Sequence, residues 1–166
     1  MIYRGLVRRL GDNVDTDVMI AGRHLSLQSP AEMAKYMFEE TDPEFIHRVQ
    51  PGDIIVAGEN FGSGSAREHA PLGFKALGIS CIVAASFSRT FYRMCVDLGL
   101  PPITCADALK FADEGQQAVV DTKSGEICLG DHTLKALPLP EFIENLMRMG
   151  GLTNWVQQQL QSEQEA

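Results

Sequence analysis

Hydrophobic positions along this chain follow two rhythms. Ile54-Ile55-Val56-Ala57 and Cys81-Ile82-Val83-Ala84 are continuous apolar runs, the pattern of strands buried on both faces. Helical spacing follows each run, over Ala66 to Leu77 and over Phe87 to Leu98, the second stopped by Gly99 and Pro101-Pro102. Ile103 continues the strand series, and Ala106 to Glu114 reads as a short helix. Upstream, Ile2 to Val7 is a first strand and Gly11 to Asp17 a polar loop rich in turn formers. Ser29-Pro30-Ala31-Glu32 is a helix start, with Ser at N-cap, Pro at N1 and Glu at N3. Met33, Ala34, Met37 and Phe38 follow it at helical spacing, and a second helical piece begins at Asp42-Pro43-Glu44-Phe45. Downstream, Ala118 to Asp121 and Glu126 to Leu129 flank the turn Thr122-Lys123-Ser124-Gly125 as a hairpin, with Thr133 to Lys135 as a third strand. Helices over Glu141 to Met149 and Thr153 to Leu160 close the series. Strand–helix alternation predicts an α/β fold with a parallel core and added β strands. Residues 1–160 read as one domain and 161–166 as a polar tail.

The length of 166 residues fits one domain with a sizeable core. The net charge of −8 argues against duplex DNA or an anionic membrane as partner, because both need a basic face. No apolar run approaches the roughly 20 residues of a membrane helix. The first residues lack a signal peptide's apolar stretch, so a cytoplasmic location is expected. Cys81, Cys95, Cys105 and Cys128 show no C-x-x-C spacing and have no histidine placed to complete a zinc site. They read as small buried hydrophobes, and no metal is assigned to this chain.

Chemistry concentrates in Gly62-Ser63-Gly64-Ser65-Ala66-Arg67-Glu68-His69, which joins a buried strand to a helix. Glycines let backbone approach a ligand, and a helix start offers N–H groups and positive potential. An anion site follows, for carboxylate or phosphate. On spacing alone a structural turn is the commoner meaning, since Ser65-Ala66-Arg67-Glu68 is also a capping box. The stretch matches neither dinucleotide nor NTP fingerprints, and no serine has the G-x-S-x-G of a nucleophile elbow. His69 reads as a packed or solvated histidine. Asp12, Asp15 and Asp17 lack the spacing of a calcium loop and suit turn capping. Arg89 and Arg93, at i and i+4, suit a solvated helix face.

Taken in order, several motifs resemble the small subunits of 3-isopropylmalate dehydratases, swivel-domain relatives of aconitase. They are Gly11 to Asp17, Gly52 to Pro71, Ala85 to Arg93, Gly99-Leu100-Pro101 and Gly150-Gly151-Leu152. The resemblance runs from Val7 to about Val156 and implies a swivelling β/β/α three-layer domain. It implies a hydro-lyase of leucine biosynthesis, moving a hydroxyl to the neighbouring carbon of a small hydroxy dicarboxylic acid. It also implies a heteromeric partner, a large subunit bearing a [4Fe-4S] cluster, with no cofactor on this chain. By this resemblance Ser65 is the base that takes a carbon-bound proton, and Arg67 grips a substrate carboxylate. Ser63, Gly64, Ala66 and Arg23 join it in binding substrate, while Asp15, Thr16 and Asp17 form the adjoining wall. Two residues depart from the pattern: Ala66 replaces a usual second serine, and Met94 a common asparagine.

Selectivity in this family is linked to a loop that here contains His24-Leu25-Ser26-Leu27, preceded by Arg23. Homoaconitase-like members carry an arginine at the position of Ser26. Without it an extra buried carboxylate would go unpaired, so an apolar isopropyl group is the better fit. Dehydratases of 2,3-dimethylmalate or methylmalate type remain alternatives, as does a non-catalytic anion-binding module. A stand-alone enzyme using the Gly-Ser loop for phosphate is a further class.

Overall fold

The computed structural model describes residues 1–65 and 67–164. Its strands are β1 (Ile2–Arg9), β2 (Ile54–Ala57), β3 (Cys81–Ala84), β4 (Pro102–Thr104), β5 (Gln117–Asp121), β6 (Glu126–Leu129) and β7 (His132–Lys135). They form a seven-stranded sheet in the order β4-β3-β2-β1-β5-β6-β7. From β1 to β4 neighbouring strands are parallel, while β5, β6 and β7 join the other side of β1 antiparallel. The predicted α/β core with added β strands is thus observed, with β1 as the seam between its halves.

Side-chain alternation divides the parallel strands between two cores. Ile54, Val56, Cys81 and Val83 point into one cluster with Val7, Ile103 and the β5–β6 residues Ala118, Val120, Ile127 and Leu129. Parallel and antiparallel halves therefore face each other across a shared core, and the sheet curls to allow it. Ile55, Ala57, Ile82 and Ala84 point the other way, into a second cluster built with helices. Those helices are α1 (Thr16–Met19), α2 (Pro30–Ala34), α3 (Phe45–Arg48), α4 (His69–Ala76) and α5 (Arg89–Leu98). The result is three layers, β on β on α, as the family resemblance implied. The helices α6 (Glu141–Met149) and α7 (Leu152–Gln164) pack near α5, with Val96, Leu146 and Met147 at the centre of the contact.

Several boundaries differ from the sequence pattern, each for a local reason. The helix predicted from Ala66 begins at His69, and Ser65 is not its cap. The helix starting at Pro30 stops at Ala34, and the Ser29 side chain makes no capping bond. Phe38 instead adopts a left-handed backbone with φ 57°, and its N–H donates to Met19 O at 2.8 Å. That places Phe38 against Phe45, ring centroids 4.6 Å apart. The predicted helix over Ala106 to Glu114 is a short 3-10 turn, Ala108–Phe111. α5 begins at Arg89 rather than Phe87, because the Ser88 hydroxyl caps it by accepting from Phe91 N. The last helix runs past Leu160 to Gln164, so it takes in most of the predicted tail, and residues 165–166 lie outside the described residues.

One buried ion pair fastens β1 to the turn that opens β2. Arg8 Nε donates to Asp53 Oδ2 at 2.6 Å, with both side chains almost fully buried. Asp53 also accepts from the Gln50 and Leu6 backbone N–H groups, and Arg8 reaches Glu114 at 3.2 Å. Removing one member strands the other charge in the interior. Asp53→Ala is expected to destabilise the chain by about 3–5 kcal/mol in urea unfolding.

Candidate active site

Parallel pairing of β1 and β2 does not stop where the strands stop. Past their carboxyl ends Leu10 N donates to Val56 O, Gly58 N to Gly11 O, Asn13 N to Glu59 O, and Gly62 N to Val14 O. Side chains close the same seam: Asp12 Oδ1 accepts from Glu59 N at 2.7 Å, and Asn60 Nδ2 donates to Asn13 Oδ1 at 3.1 Å. The loop after β3 is stitched on by Phe61 N to Ser86 O and Ser88 N to Phe61 O, both at 2.9 Å. Loops leaving the carboxyl ends of three parallel strands are thereby locked together, where open α/β sheets place their ligands.

The Gly62–Ser65 turn rides on this seam. Phe61, fully buried, anchors it below, with its ring edge-on to Phe91 at 5.4 Å between centroids. Gly62 has φ 75°, and a Cβ there would lie 2.1 Å from the Phe91 ring. Gly64 has φ 88°, and a Cβ there would lie 2.2 Å from the Asp15 carboxylate. Both glycines are required, but by this chain's own Phe91 and Asp15 as much as by any ligand.

Beyond the glycines, the predicted wall residues divide the work. Asp15 caps α1, its Oδ1 accepting from Asp17 N at 2.8 Å. Buried Thr16 grips the turn twice: its N–H donates to Ser63 O at 2.8 Å, and its hydroxyl to Ser65 O at 3.0 Å. Asp17 receives the Ser65 hydroxyl, with Oγ 3.1 Å from Oδ1 and 3.3 Å from Oδ2. The capping box expected for Ser65 is therefore replaced by a Ser65–Asp17 pair. The helix starts too late for the box: α4 opens at His69, and the Ser65 carbonyl is held by Thr16 and by Arg67 N at 2.9 Å. The helix N–H groups predicted around Ser65 accordingly belong to a later position. Ala66 lies outside the described residues.

Arg67 is exposed, in contrast to the buried Arg8. It lines a narrow crevice with Thr16, Asp17, Ile20, Leu25 and Ala70. From the predicted selectivity loop Leu25 lines it; Ser26 is exposed and Leu27 packs toward the helical core. A wider groove, about 460 Å³, lies along α5 between Ser86, Phe87, Arg89, Tyr92, Arg93 and Thr104, and Ser65 is not among its lining residues.

Arg23, expected to hold substrate carboxylate, is engaged instead by this chain's own acids. Its Nη2 lies 2.6 Å from Glu39 Oε1, and its Nη1 pairs with Glu40. His24 pairs with Glu39 too and stacks on Tyr36 at 3.9 Å between centroids. Sequence reasoning missed Glu39, Glu40 and Tyr36, because a charged pair beyond an apolar run carries no positional signal. Burial pushes the Cys81 thiol up to about 12 and raises that of Cys95 as well, so neither is a ready thiolate ligand. Among the described residues no group of three His, Cys, Asp or Glu side chains is placed to hold a metal ion, so the residues present do not fit a cluster.

The fold and the turn first define a class: a β/β/α domain presenting a serine and an arginine from a Gly-Ser turn at its strand ends. The family follows from comparison with known proteins. Residues 14–108 match the aconitase C-terminal domain, and the chain belongs to that family. It is 44% identical over 165 residues to a 3-isopropylmalate dehydratase small subunit of Caldicellulosiruptor saccharolyticus, covering 98% of this chain and 95% of the relative. It is 42% identical to an isopropylmalate/citramalate isomerase small subunit of Methanocaldococcus jannaschii, covering 98% of each. A crystal structure titled 3-isopropylmalate dehydratase, from the same archaeon, superposes with a TM-score of 0.92 at 34% identity, covering 99% of each chain.

Gly64→Ala is expected to lower the thermal unfolding midpoint, at a cost of about 1–3 kcal/mol, because it forces a side chain into a left-handed position against Asp15. Gly11→Ala, where a Cβ meets nothing within 4 Å, is the control and should leave the midpoint unchanged.

Proposed function

We propose that this chain is the small subunit of a 3-isopropylmalate dehydratase, interconverting 2- and 3-isopropylmalate by loss and return of water in leucine biosynthesis. The observation that carries this reading is the Ser65 hydroxyl held on Asp17, beside the exposed Arg67, on a turn the fold has no freedom to move. A cytoplasmic, cluster-bearing large subunit completes the site in this reading, since the chain supplies only one wall.

Dehydration removes a proton from one carbon and hydroxide from its neighbour, and a double bond forms between them. Ser65 Oγ takes the carbon-bound proton. Its own hydroxyl proton has Asp17 as the nearest acceptor, and the Asp17 carboxylate turns an Oγ lone pair outward for the transfer. As Oγ takes that proton its own passes to Asp17, and the electron pair left on carbon is drawn toward the substrate carboxylate, whose growing negative charge Arg67 stabilises. Its guanidinium suits a substrate carboxylate bidentately. In this reading the backbone at Ser63 and Gly64 contacts the substrate beside Ser65. Rehydration runs the same transfers backward with the hydroxyl on the other carbon. Lewis-acid assistance to the departing hydroxyl is the chemistry a [4Fe-4S] cluster on the large subunit supplies when bound.

The selectivity loop supports an alkyl-bearing substrate. Leu25 presents an apolar side chain beside Arg67, and Arg23 is already neutralised by Glu39 and Glu40. An extra carboxylate would find no free cation on this loop, which disfavours homocitrate-type acids.

Two variants test the reading in the complex reconstituted anaerobically with its large subunit. Ser65→Ala should lower kcat by about 10²–10⁴ while co-purification with the large subunit persists. Arg67→Lys keeps the charge but loses the fork and should lower kcat/KM by about tenfold or more. Full turnover by Ser65→Ala would sink the assignment and favour a non-catalytic anion-binding module.

A further inference from the structure

One buried polar atom near the site has no evident reason to be there. His69, the first residue of α4, has Nε2 3.1 Å from the carbonyl oxygen of Leu25. A carbonyl only accepts, so Nε2 carries the hydrogen, and Nδ1 is the ring's second polar atom. Nδ1 is buried and meets no hydrogen-bond partner among the described residues. Such groups are rare because burying them unpaired is unfavourable, and one that persists calls for an explanation. Proton transfer is not that explanation, since one nitrogen is committed to Leu25 and the other is sealed from substrate.

What Nε2 holds gives a better account. The loop backbone closes a short 3-10 turn at Gly22–His24, and its last bond, Leu25 N to Gly22 O, is long at 3.3 Å. Glu39 and Tyr36 restrain Arg23 and His24, but their hold ends before Leu25. His69 is the contact that ties Leu25 to the segment carrying Arg67, two residues away along the chain. Leu25 and Arg67 line the same crevice, so this hydrogen bond links an apolar wall to the segment that carries a carboxylate-binding cation.

We infer that His69 is a positioning residue for substrate selectivity: through Leu25 it fixes how large an alkyl group fits beside Arg67. The inference rests on the dehydratase reading above. It makes the Nε2–H donor the needed feature, which His69→Gln retains and His69→Leu removes.

The test compares both variants with the wild-type chain, in complex with the large subunit, on 2-isopropylmalate and on citramalate, whose alkyl group is a methyl. His69→Leu should lower kcat/KM for 2-isopropylmalate by about tenfold, mainly through KM, and that for citramalate by less than about twofold. His69→Gln should return the ratio to within about threefold of wild type. Hydrogen exchange on the free full-length chain adds a readout that needs no activity. The Leu25 and Leu27 amides should exchange about five- to tenfold faster in His69→Leu but not in His69→Gln. An unchanged ratio, or an equal loss on both acids, overturns the inference and leaves His69 a packing residue. If the wild-type complex acts on neither acid, the dehydratase reading fails. Exchange then decides the tether alone, and unaltered Leu25 and Leu27 amides overturn it. Should His69→Leu not fold, His69→Asn, whose amide is too short to reach Leu25, replaces it in both arms.

Discussion

The site depends on two positions that have no room for a side chain. Gly62 passes over the Phe91 ring and Gly64 over the Asp15 carboxylate, each with a left-handed backbone. These contacts leave the turn one course, and that course delivers Ser65 to Asp17. The strands beneath supply the rigidity. Loops after β1, β2 and β3 exchange hydrogen bonds well beyond the strand ends, so Ser65 sits on a platform continuous with the sheet. Precise placement of a weak base on a stiff support is what proton transfer from carbon requires.

Two cores make that platform possible. Because β2 and β3 are buried on both faces, alternate residues serve different clusters, one against helices and one against the curled antiparallel half. The apolar runs at Ile54 and Cys81 announced this burial, and the hairpin around Gly125 announced the added strands. The curl itself was not legible, since it depends on which residues meet across the sheet and not on their order. The buried Arg8–Asp53 pair was equally silent, because the charged Arg8-Arg9 step looks like the end of the apolar strand, whereas β1 runs on to Arg9 and buries Arg8.

At the site, residue types were legible and partners were not. The Gly-Ser turn could be found from its glycines, and its resemblance to a known motif assigned roles to Ser65 and Arg67. The capping box was a fair reading of Ser65 and Glu68, yet the helix starts at His69, and Ser65 turns to Asp17 across the seam. Arg23 looked free from sequence, but Glu39 and Glu40, more than a dozen residues on, take its charge. His69 read as a packed or solvated histidine, because a lone histidine on a helix carries no sign of the carbonyl it meets. Each miss is a long-range pairing between loops, which local pattern does not encode.

The Gly62–Ser65 turn, in this reading, carries the proton acceptor of a hydro-lyase. A crystal structure of this chain bound to its large subunit and 2-isopropylmalate tests it most directly. Ser65 Oγ should lie about 3 Å from the carbon that loses its proton, with Arg67 on a substrate carboxylate. Substrate seated in the α5 groove between Phe87 and Tyr92, with Ser65 facing solvent, would contradict it.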